Sequence, residues 1–376
     1  MPRRQEAVME DETILQSRLQ AAIDTIRPAD AGQIKKAKTH WDAIAKPLHG
    51  LGLLEDVIAR MAGVSPLRRE NKKCTVSFCA DNGVVAQGVT QTDSSVTVIV
   101  GGNMLTGKAS VCCMSRVTGA EVLPVDAGML TEVEGMRSIK VARGTKDLSR
   151  EPAMTRQECL SVLLSGMDLA GELAGKGYTL LAAGEMGIGN TTTTSAVAAA
   201  LLGRPAAEMT GKGAGLSNEG LAKKIAVIDR AIALHRPNPA DPVDVIAKVG
   251  GFDIAAMTGF YLGCALHRVP AIMDGFISTV SALAAVRLCP ASVDAMLNSK
   301  LTLAEKKGLR IKCDAELPKK LSCNPVDLCV LLGNLIDNAI EACEKMDPSQ
   351  DRFIRIYMCV RKKQFYLSVS NATSEV

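Results

Sequence analysis

The segment 180–203 constrains the fold of this 376-residue chain more than any other part of the sequence. An apolar run, Leu180–Ala183, predicts a buried strand, and the stretch GEMGIGNTTTT at 184–194 then leads into an alanine-rich helix. Glycines let backbone N–H groups close on a ligand, and a helix start offers unpaired N–H donors to an anion. Because Glu185 lies in the same loop, the segment predicts chemistry on a phosphorylated small molecule.

The composition is typical of a globular protein with a sizeable core. Hydrophobic residues make up 47% and charged residues 22% of the chain, and its length predicts two or three domains. A net charge of +4 and only 3% aromatic residues argue against a nucleic-acid partner. Twelve cysteines without a CxxC pair predict reduced thiols in a cytoplasmic protein. We expect no signal peptide, no membrane span and, from four widely separated histidines, no metal site.

Buried strand-like runs alternate with helical segments from about residue 71 onward. Continuous apolar runs such as Cys74–Ala80 are typical of parallel sheets that are covered on both faces. We predict an α/β fold, a parallel Rossmann-like sheet with flanking helices, preceded by a small helical N-terminal part over 1–70. Ser138–Ala142 is predicted to be one of the strands. Polar residues follow the carboxyl ends of several strands, where ligands bind in such sheets: Asp81, Asp126, Glu185 and Asp274.

The sequence changes character after Ala291, where lysine and arginine become frequent and alanine and glycine become rare. Strand-like runs then flank a helical segment over Pro325–Lys345, and the last two, Phe353–Val360 and Phe365–Val369, predict an antiparallel pair. This pattern indicates an α+β unit. We therefore predict an α/β domain over 71–292 and a separate α+β fragment over 293–376.

Five motifs stand in a characteristic order: CADNGVV at 79–85, VARGT at 141–145, GEMGIGNTT at 184–192, KVGGFD at 248–253 and MDGF at 273–276. In these motifs the chain resembles the nicotinate-nucleotide:dimethylbenzimidazole phosphoribosyltransferases of cobalamin biosynthesis, over roughly its first three quarters. The resemblance implies transfer of phosphoribosyl from nicotinate mononucleotide to 5,6-dimethylbenzimidazole, which yields α-ribazole 5′-phosphate and nicotinate. It also implies small-molecule substrates, no cofactor or metal, and a homodimer.

The resemblance also implies the residues of the site. Glu185 becomes the candidate catalytic residue, and Lys224 falls where the family has a phosphate-contacting lysine. Met186 and Thr92 would serve the benzimidazole side, where Val100 replaces a glutamine that some members have. The other implied substrate-binding residues are Gly187, Gly189, Asn190, Thr191, Thr192, Gly211, Gly213, Gly215, Asp81 and Asp274.

Purely structural explanations remain open for several of these residues. Asp81 can simply form a turn, Asp274 can cap the following helix, and Lys224 can belong to a solvated helix face. The stretch Gly102–Ala109 nearly matches a P-loop, but Ala109 replaces the hydroxyl that would hold Mg²⁺. We therefore do not predict a nucleoside triphosphate site there.

The resemblance ends before the family's C-terminal segment, in which a glycine-flanked glutamate is the general base. Loss of such a base costs about 10²–10⁴-fold in rate. We therefore expect a chain that binds nicotinate mononucleotide and turns over slowly or not at all. A non-catalytic binder of the mononucleotide is the alternative.

The segment DLCVLLGNLIDNAIEA at 327–342 resembles the N-box helix of sensor histidine-kinase ATPase domains. The resemblance implies that Asn338 binds Mg²⁺ and that Asn334, on the same helix face, lies toward the nucleotide phosphates. No glycine-rich ATP lid follows in the sequence, so Mg-ATP is an expected cofactor only if this fragment is functional. An ATP-binding signalling fragment is therefore a third hypothesis.

Overall fold

A computed structural model describes residues 10–47, 50–51, 53–298, 310–315, 339, 342–343, 346–347, 350–361 and 364–372. Its contacts divide the chain into two compact units, Met1–Leu297 and Asn298–Val376. This division lies a few residues beyond the boundary predicted near Ser292, because the intervening residues pack on the first unit. Ser292 and Met296 are buried, and the Asp294 carboxylate accepts a hydrogen bond from the Ala29 N–H at 2.8 Å.

The first unit alternates helices with parallel strands. Its helices are α1 (Glu12–Thr25), α2 (Ala31–Ala43), α3 (Leu53–Val64), α4 (Ser95–Leu105), α5 (Ser110–Thr118), α6 (Arg156–Gly175), α7 (Asn190–Leu202), α8 (Ala206–Met209), α9 (Asn218–His235), α10 (Pro242–Val249), α11 (Phe252–Leu266) and α12 (Gly275–Leu288). Its strands are β1 (Lys73–Ala80), β2 (Ala120–Gly128), β3 (Arg137–Ser138), β4 (Leu180–Met186), β5 (Ala271–Met273) and β6 (Met296–Asn298). Single 3-10 helices cover Gly83–Gln87 and Pro290–Ala295.

The strands form one sheet in the order β3-β2-β1-β4-β5-β6. The β1 strand pairs in parallel with both β2 and β4, and β5 pairs in parallel with β4. Register brings the carboxyl ends together, since Cys79 is opposite both Asp126 and Met186. The predicted parallel α/β fold is confirmed, and its ligand-binding edge is the one at which β1, β2 and β4 end.

One face of the sheet is covered by a tightly packed helix pair, α6 and α11. A Cβ atom on Gly259 would lie 1.7 Å from the Leu163 carbonyl oxygen, so the two helices meet at backbone contact. Helix α11 also packs on the sheet, where Phe260 meets Phe78 edge-on with ring centroids 5.5 Å apart. Helix α11 is buried along nearly its whole length, which fixes the position of its first turn at the sheet edge.

The predicted strand Ser138–Ala142 is wrong beyond its first residue. The Ile139 N–H still donates to the Asp126 carbonyl at 2.8 Å, but the chain then turns over the end of β2. The Lys140 ammonium binds the Asp126 carboxylate at 2.7 Å, and the Gly144 N–H donates to the Gly128 carbonyl at 3.0 Å. These contacts hold the segment over the end of β2 instead of alongside it as a strand. Periodicity alone could not indicate this.

Residues 95–118 are the one described stretch whose length and mean hydropathy of 1.3 would suit a membrane span. The stretch consists of two helices, α4 and α5, which are separated by a turn at 106–109 with Gly107 at φ +74°. Helices of 11 and 9 residues rise about 16 and 14 Å, whereas the hydrocarbon core of a bilayer is about 30 Å thick. Neither helix is long enough to cross it.

The strands described in the second unit form a three-stranded sheet. Strand β7 (Arg310–Ala315) pairs in parallel with β8 (Phe353–Arg361), which pairs antiparallel with β9 (Gln364–Asn371). The predicted antiparallel pair is thereby confirmed. The predicted helix over Pro325–Lys345 lies almost entirely outside the described residues, and so do both predicted nucleotide-binding residues, Asn334 and Asn338.

Candidate active site

The loop between β4 and α7 lies against the end of β1. A Cβ atom on Gly187 would come 2.3 Å from the Ala80 carbonyl oxygen, so the close approach requires glycine at this position. Gly189, directly before α7, has φ +90°, a backbone conformation that favours glycine. Glu185 is the second-last residue of β4 and not, as the sequence had predicted, part of the loop, because the strand continues past the apolar run to Met186. The glycines of the loop bring the first turn of α7 to the same edge.

Three polar side chains meet at this edge. The Asn190 Nδ2 group donates one hydrogen bond to Glu185 Oε2 and another, of 3.1 Å, to Asp253 Oδ2. The other Asp253 oxygen, Oδ1, accepts the Ile254 N–H at 3.0 Å. Asp253 is fully buried at the start of α11, while Glu185 is half-buried and lines a cavity. Asn190 therefore links a buried carboxylate to one that a ligand can reach.

The environment of both carboxylates disfavours their charged forms. Burial and the nearby Asp253 charge raise the pKa of Glu185 to about 7, against a smaller opposing effect of the hydrogen bond from Asn190. Burial raises the pKa of Asp253 to about 6, with the hydrogen bonds from Asn190 and Ile254 opposing it. A carboxyl group that titrates near neutral pH can take up or give off a proton during a reaction.

Lys224, from the middle of α9, provides a buried cation a short distance along the edge. Its side chain is 1% exposed, and its ammonium donates to Thr191 Oγ1 at 2.8 Å and to the Gly211 carbonyl at 3.4 Å. Burial lowers its pKa to about 8. No carboxylate among the described residues forms an ion pair with it, so an anionic ligand would supply the missing charge. The alternative of a solvated helix face is wrong for Lys224.

A cavity of about 140 Å³ lies between this lysine and the glycine loop. Residues 89–92 form one further wall, and Lys212, Ala214 and Leu216 form another, while the predicted residues Gly211, Gly213 and Gly215 alternate with these and do not line the cavity. The Gln91 side chain joins the two walls by donating to the Gly215 carbonyl at 2.7 Å. Gly213 and Gly215 have φ values of +57° and +106°. A Cβ atom on Gly213 would lie 3.0 Å from Thr191 Oγ1 and 3.5 Å from Lys224 Nζ, so this glycine leaves room for the ammonium.

A second, larger cavity of about 610 Å³ opens on the other side of Glu185. It runs along the sheet face opposite α11, and near the edge its walls are Met186, Val100 and Met104. The predicted benzimidazole-side residues do not share a cavity, because Met186 lines this one whereas Thr92 lines the smaller one. Asp274 also lines the larger cavity, is exposed, and makes no helix-capping hydrogen bond through its side chain.

Two of the predicted substrate-binding residues lie beneath the surface of the site. Asp81 is 2% exposed, and its Oδ2 atom accepts the Leu130 N–H at 2.8 Å, so it supports the loop after β2. Thr192 is fully buried in α7. Neither residue lines the two cavities. The P-loop-like stretch Gly102–Ala109 begins inside α4 rather than after a strand, so its backbone does not form a phosphate loop.

Asp253 is the site residue to which the sequence analysis assigned no role, although it belongs to one of the motifs. The available signal is that it stands two residues after a glycine pair, in the first turn of an almost entirely apolar helix, where an acidic side chain needs a partner. Its partner, Asn190, is 63 residues away in the sequence, and only the fold brings the two together.

Comparison with known proteins identifies the family. The profile of a phosphoribosyltransferase family matches residues 26–315, and that of the GHKL domain matches residues 323–376. A nicotinate-nucleotide–dimethylbenzimidazole phosphoribosyltransferase of Ruminiclostridium cellulolyticum is 45% identical over 275 residues, which cover 72% of this chain and 78% of that relative. The chain belongs to this transferase family.

Solved structures of the family have the same fold. A crystal structure of the transferase from Thermus thermophilus matches with a TM-score of 0.66 and 35% identity over 72% of this chain and 81% of that one. A crystal structure of the protein named CobT, from the same organism, matches with a TM-score of 0.68 and 34% identity over 82% of this chain and 95% of that one. The sheet and the helices around the site are thus those of the phosphoribosyltransferase family.

Proposed function

We propose that this chain transfers the phosphoribosyl group of nicotinate mononucleotide to 5,6-dimethylbenzimidazole, which releases nicotinate and forms α-ribazole 5′-phosphate. The observation that carries the proposal is the position of Lys224, a buried ammonium without a carboxylate partner among the described residues, at a cavity next to Glu185. The names of the relatives supply the substrates. The geometry supplies a cation for the phosphate and, close to it, a carboxyl group that can accept a proton.

The mononucleotide phosphate is assigned to the smaller cavity. The Lys224 ammonium and the N-terminal turn of α7, with the Thr191 hydroxyl group, face it with positive charge and a hydrogen-bond donor. Lys212 adds a second cation to its wall. Gly187 and Gly189 line this cavity, and Gly213 and Gly215 shape the loop that forms its opposite wall.

The benzimidazole is assigned to the larger cavity, against Met186 and Val100. Its N3 lone pair attacks C1′ of the ribose, and the C1′–N bond to the pyridinium ring breaks with its electron pair going to the ring nitrogen. Nicotinate therefore leaves with an uncharged ring nitrogen and needs no acid. The proton on the other benzimidazole nitrogen passes to the Glu185 carboxylate, whose pKa of about 7 suits it to accept one.

We also propose a cytoplasmic homodimer that works without a metal or cofactor. Cysteines with free thiols, both buried and exposed, suit a reducing compartment. Large apolar side chains are exposed on α4 and α5, among them Ile99 and Met114, which suits a surface shared between subunits. Sedimentation of the purified protein tests the dimer, and a mass equal to one chain at micromolar concentration would contradict it.

The test of the proposed reaction is nicotinate release from nicotinate mononucleotide by the purified protein. We expect release only when dimethylbenzimidazole is present, with α-ribazole 5′-phosphate formed in equal amount. Tight binding of the mononucleotide without any release would replace the transferase by a non-catalytic binder. The expectation of slow turnover is tested in the same assay, with the Ruminiclostridium cellulolyticum relative as the reference.

A further inference from the structure

The amide group of Asn190 has only one orientation that suits its surroundings. Both of its N–H bonds point at carboxylates, one at Glu185 and one at Asp253. If the amide were turned over, its oxygen would face the same two acidic groups, and an amide oxygen repels a carboxylate oxygen. Side-chain amide orientation is assigned from hydrogen bonding, and above pH 7, where both carboxyl groups are ionised, the two acceptors assign it without ambiguity.

This orientation determines what Asn190 offers to a ligand. Its amide oxygen accepts no hydrogen bond from the described residues, and Asn190 lines the cavity that also contains Lys224. With both N–H bonds used inside the protein, the side chain can act toward a ligand only as an acceptor. A ligand hydroxyl group fits such an atom, and a ligand atom that is itself an acceptor does not.

Apart from its hydrogen bond with Asn190, no contact of Asp253 with the described residues explains why an acidic residue stands at this buried position. It is fully buried, its Oδ1 atom accepts its neighbour's N–H, and no described lysine or arginine forms an ion pair with it. A buried carboxylate is costly unless its hydrogen bonds repay the cost. The hydrogen bond to its other oxygen, Oδ2, comes from the Asn190 amide at 3.1 Å.

We propose that Asp253 is a positioning residue that acts through Asn190: it holds the amide so that only its oxygen faces the cavity, where it selects a ribose hydroxyl group. The inference rests on the proposed function for the identity of the ligand. Asp253 itself does not touch the substrate. It makes the cavity selective for a ribonucleotide over a deoxyribonucleotide.

The variant Asp253→Asn tests this directly because it has nearly the same size. Its Oδ1 atom can still accept the Ile254 N–H, which turns its new NH₂ group toward the NH₂ group of Asn190. Two donors cannot pair, so the Asn190 amide is no longer held in one orientation and also presents N–H bonds to the cavity. Asp244→Asn is the matched control, since Asp244 pairs with Lys248 on α10 and lies outside both cavities.

The binding experiment measures dissociation constants, by calorimetry without benzimidazole, for nicotinate mononucleotide and its 2′-deoxy and 3′-deoxy analogues. We expect wild type and Asp244→Asn to prefer the ribonucleotide over one analogue by about 10-fold or more. In Asp253→Asn this preference should fall to within about 2-fold. Asn190→Ala should abolish it as well, and adding Asp253→Asn to Asn190→Ala should change nothing further. Equal weakening of all three ligands, with the preference intact, would reduce Asp253 to a structural role and overturn the proposal.

A ligand-free measurement keeps this inference separate from the proposed function. The side-chain NH₂ signals of Asn190, assigned by their loss in Asn190→Ala, should exchange slowly with solvent in wild type. In Asp253→Asn we expect exchange at least about 10-fold faster. Free exchange of the wild-type amide would overturn the proposal even if the variant did not fold. If wild type does not bind the mononucleotide, the proposed function fails, while the exchange data still decide the role of Asp253.

Discussion

The two cavities beside the loop that follows β4 differ in how completely they are built. The smaller, of about 140 Å³, has a buried lysine, a helix N-terminus and two loops joined by the Gln91–Gly215 hydrogen bond. The larger, of about 610 Å³, has mostly apolar walls near the sheet edge. A preorganised polar site concentrates binding energy in few groups, whereas a wide apolar cavity spreads it over many weak contacts. Single substitutions should therefore have larger effects on the phosphate side than on the base side.

The largest effect is expected at Glu185, which lines the larger cavity and accepts a hydrogen bond from Asn190 in the wall of the smaller one. Glu185→Gln keeps the shape of the side chain and can still accept from Asn190, but it cannot take up the proton. We expect nicotinate release to slow by about 10²–10⁴-fold, with the affinity for the mononucleotide nearly unchanged. The measurement is single-turnover release combined with calorimetry. If the variant instead lost affinity for the mononucleotide and kept its rate of nicotinate release, Glu185 would act in phosphate binding and not in proton transfer.

The same variant should be more stable than wild type at alkaline pH. The folded pKa of Glu185, about 7, exceeds its ordinary value of 4.5, so its contribution to stability is full below pH 4.5 and is lost as pH rises through 7. Removing the charge should raise the free energy of unfolding by on the order of 2 kcal/mol at pH 8 and by almost nothing at pH 4.5. Denaturant titrations at both pH values measure this difference.

Glu172→Gln is the matched control, with the opposite sign. Hydrogen bonds and charge from Arg137 and Lys176 lower the pKa of Glu172 to about 2, so its ionised form stabilises the fold above that value. At pH 8 this variant should be slightly less stable than wild type. Equal responses of the two glutamate variants to pH would contradict the assigned environments.

Lys224→Met tests the phosphate side. Loss of the buried ammonium should weaken mononucleotide binding by about 10- to 100-fold, which is the effect of a charged hydrogen bond. Wild-type affinity should also fall as pH rises above about 8, where Lys224 loses its proton, and the variant should lack this fall. Lys223→Met is the control, because the neighbouring lysine is exposed. Similar losses in both variants would show that general positive charge, not the buried lysine, holds the phosphate.

Met186→Ala tests the base side, where we expect a smaller effect. The Michaelis constant for dimethylbenzimidazole should rise about 5-fold, since one apolar contact of several is lost, and mononucleotide affinity should change less than about 2-fold. Met114→Ala, at the far end of the same cavity, should leave both constants unchanged. A larger effect of Met114 would mean that the base binds deeper along the sheet face.

The smallest effect is expected from Gly213→Ala. The residue has φ +57°, and the added methyl group would crowd Thr191 and Lys224. We expect mononucleotide binding to weaken about 3-fold through strain in the loop. Gly211→Ala, with open space around its Cβ position, provides the control, and calorimetry on the pair measures the difference. Equal affinities would indicate that the loop adapts freely.

Sequence reasoning succeeded where the information is local. The apolar run before Glu185 and the glycines after it predict a strand and a tight turn, and these are confirmed. The strand over Ser138–Ala142 was wrong because Lys140 and Gly144 are held by partners on β2 that lie more than ten residues away along the chain. Long-range pairing of this kind leaves no trace in periodicity.

The sequence also did not indicate how deeply each residue of the site is buried. Asp81 belongs to one of the motifs, and Thr192 shares another with residues that line the cavities, yet both are buried and line neither cavity. Asp253 had no predicted role, because its significance depends on the Asn190 amide across the fold. The burial of Lys224 also had to come from the structure, since a lysine pair on a helix normally indicates a solvated face. A motif identifies the neighbourhood of a site, and the fold decides which side chains reach it.

The most direct test of the central claim, that Glu185 receives the proton between a phosphate cavity and a base cavity, is the pH dependence of single-turnover nicotinate release. With both substrates saturating, we predict a wild-type rate that rises with pH through an apparent pKa near 7 and then levels off. Glu185→Gln should show a low rate without this rise. A pH-independent wild-type rate that Glu185→Gln reproduces would contradict the account.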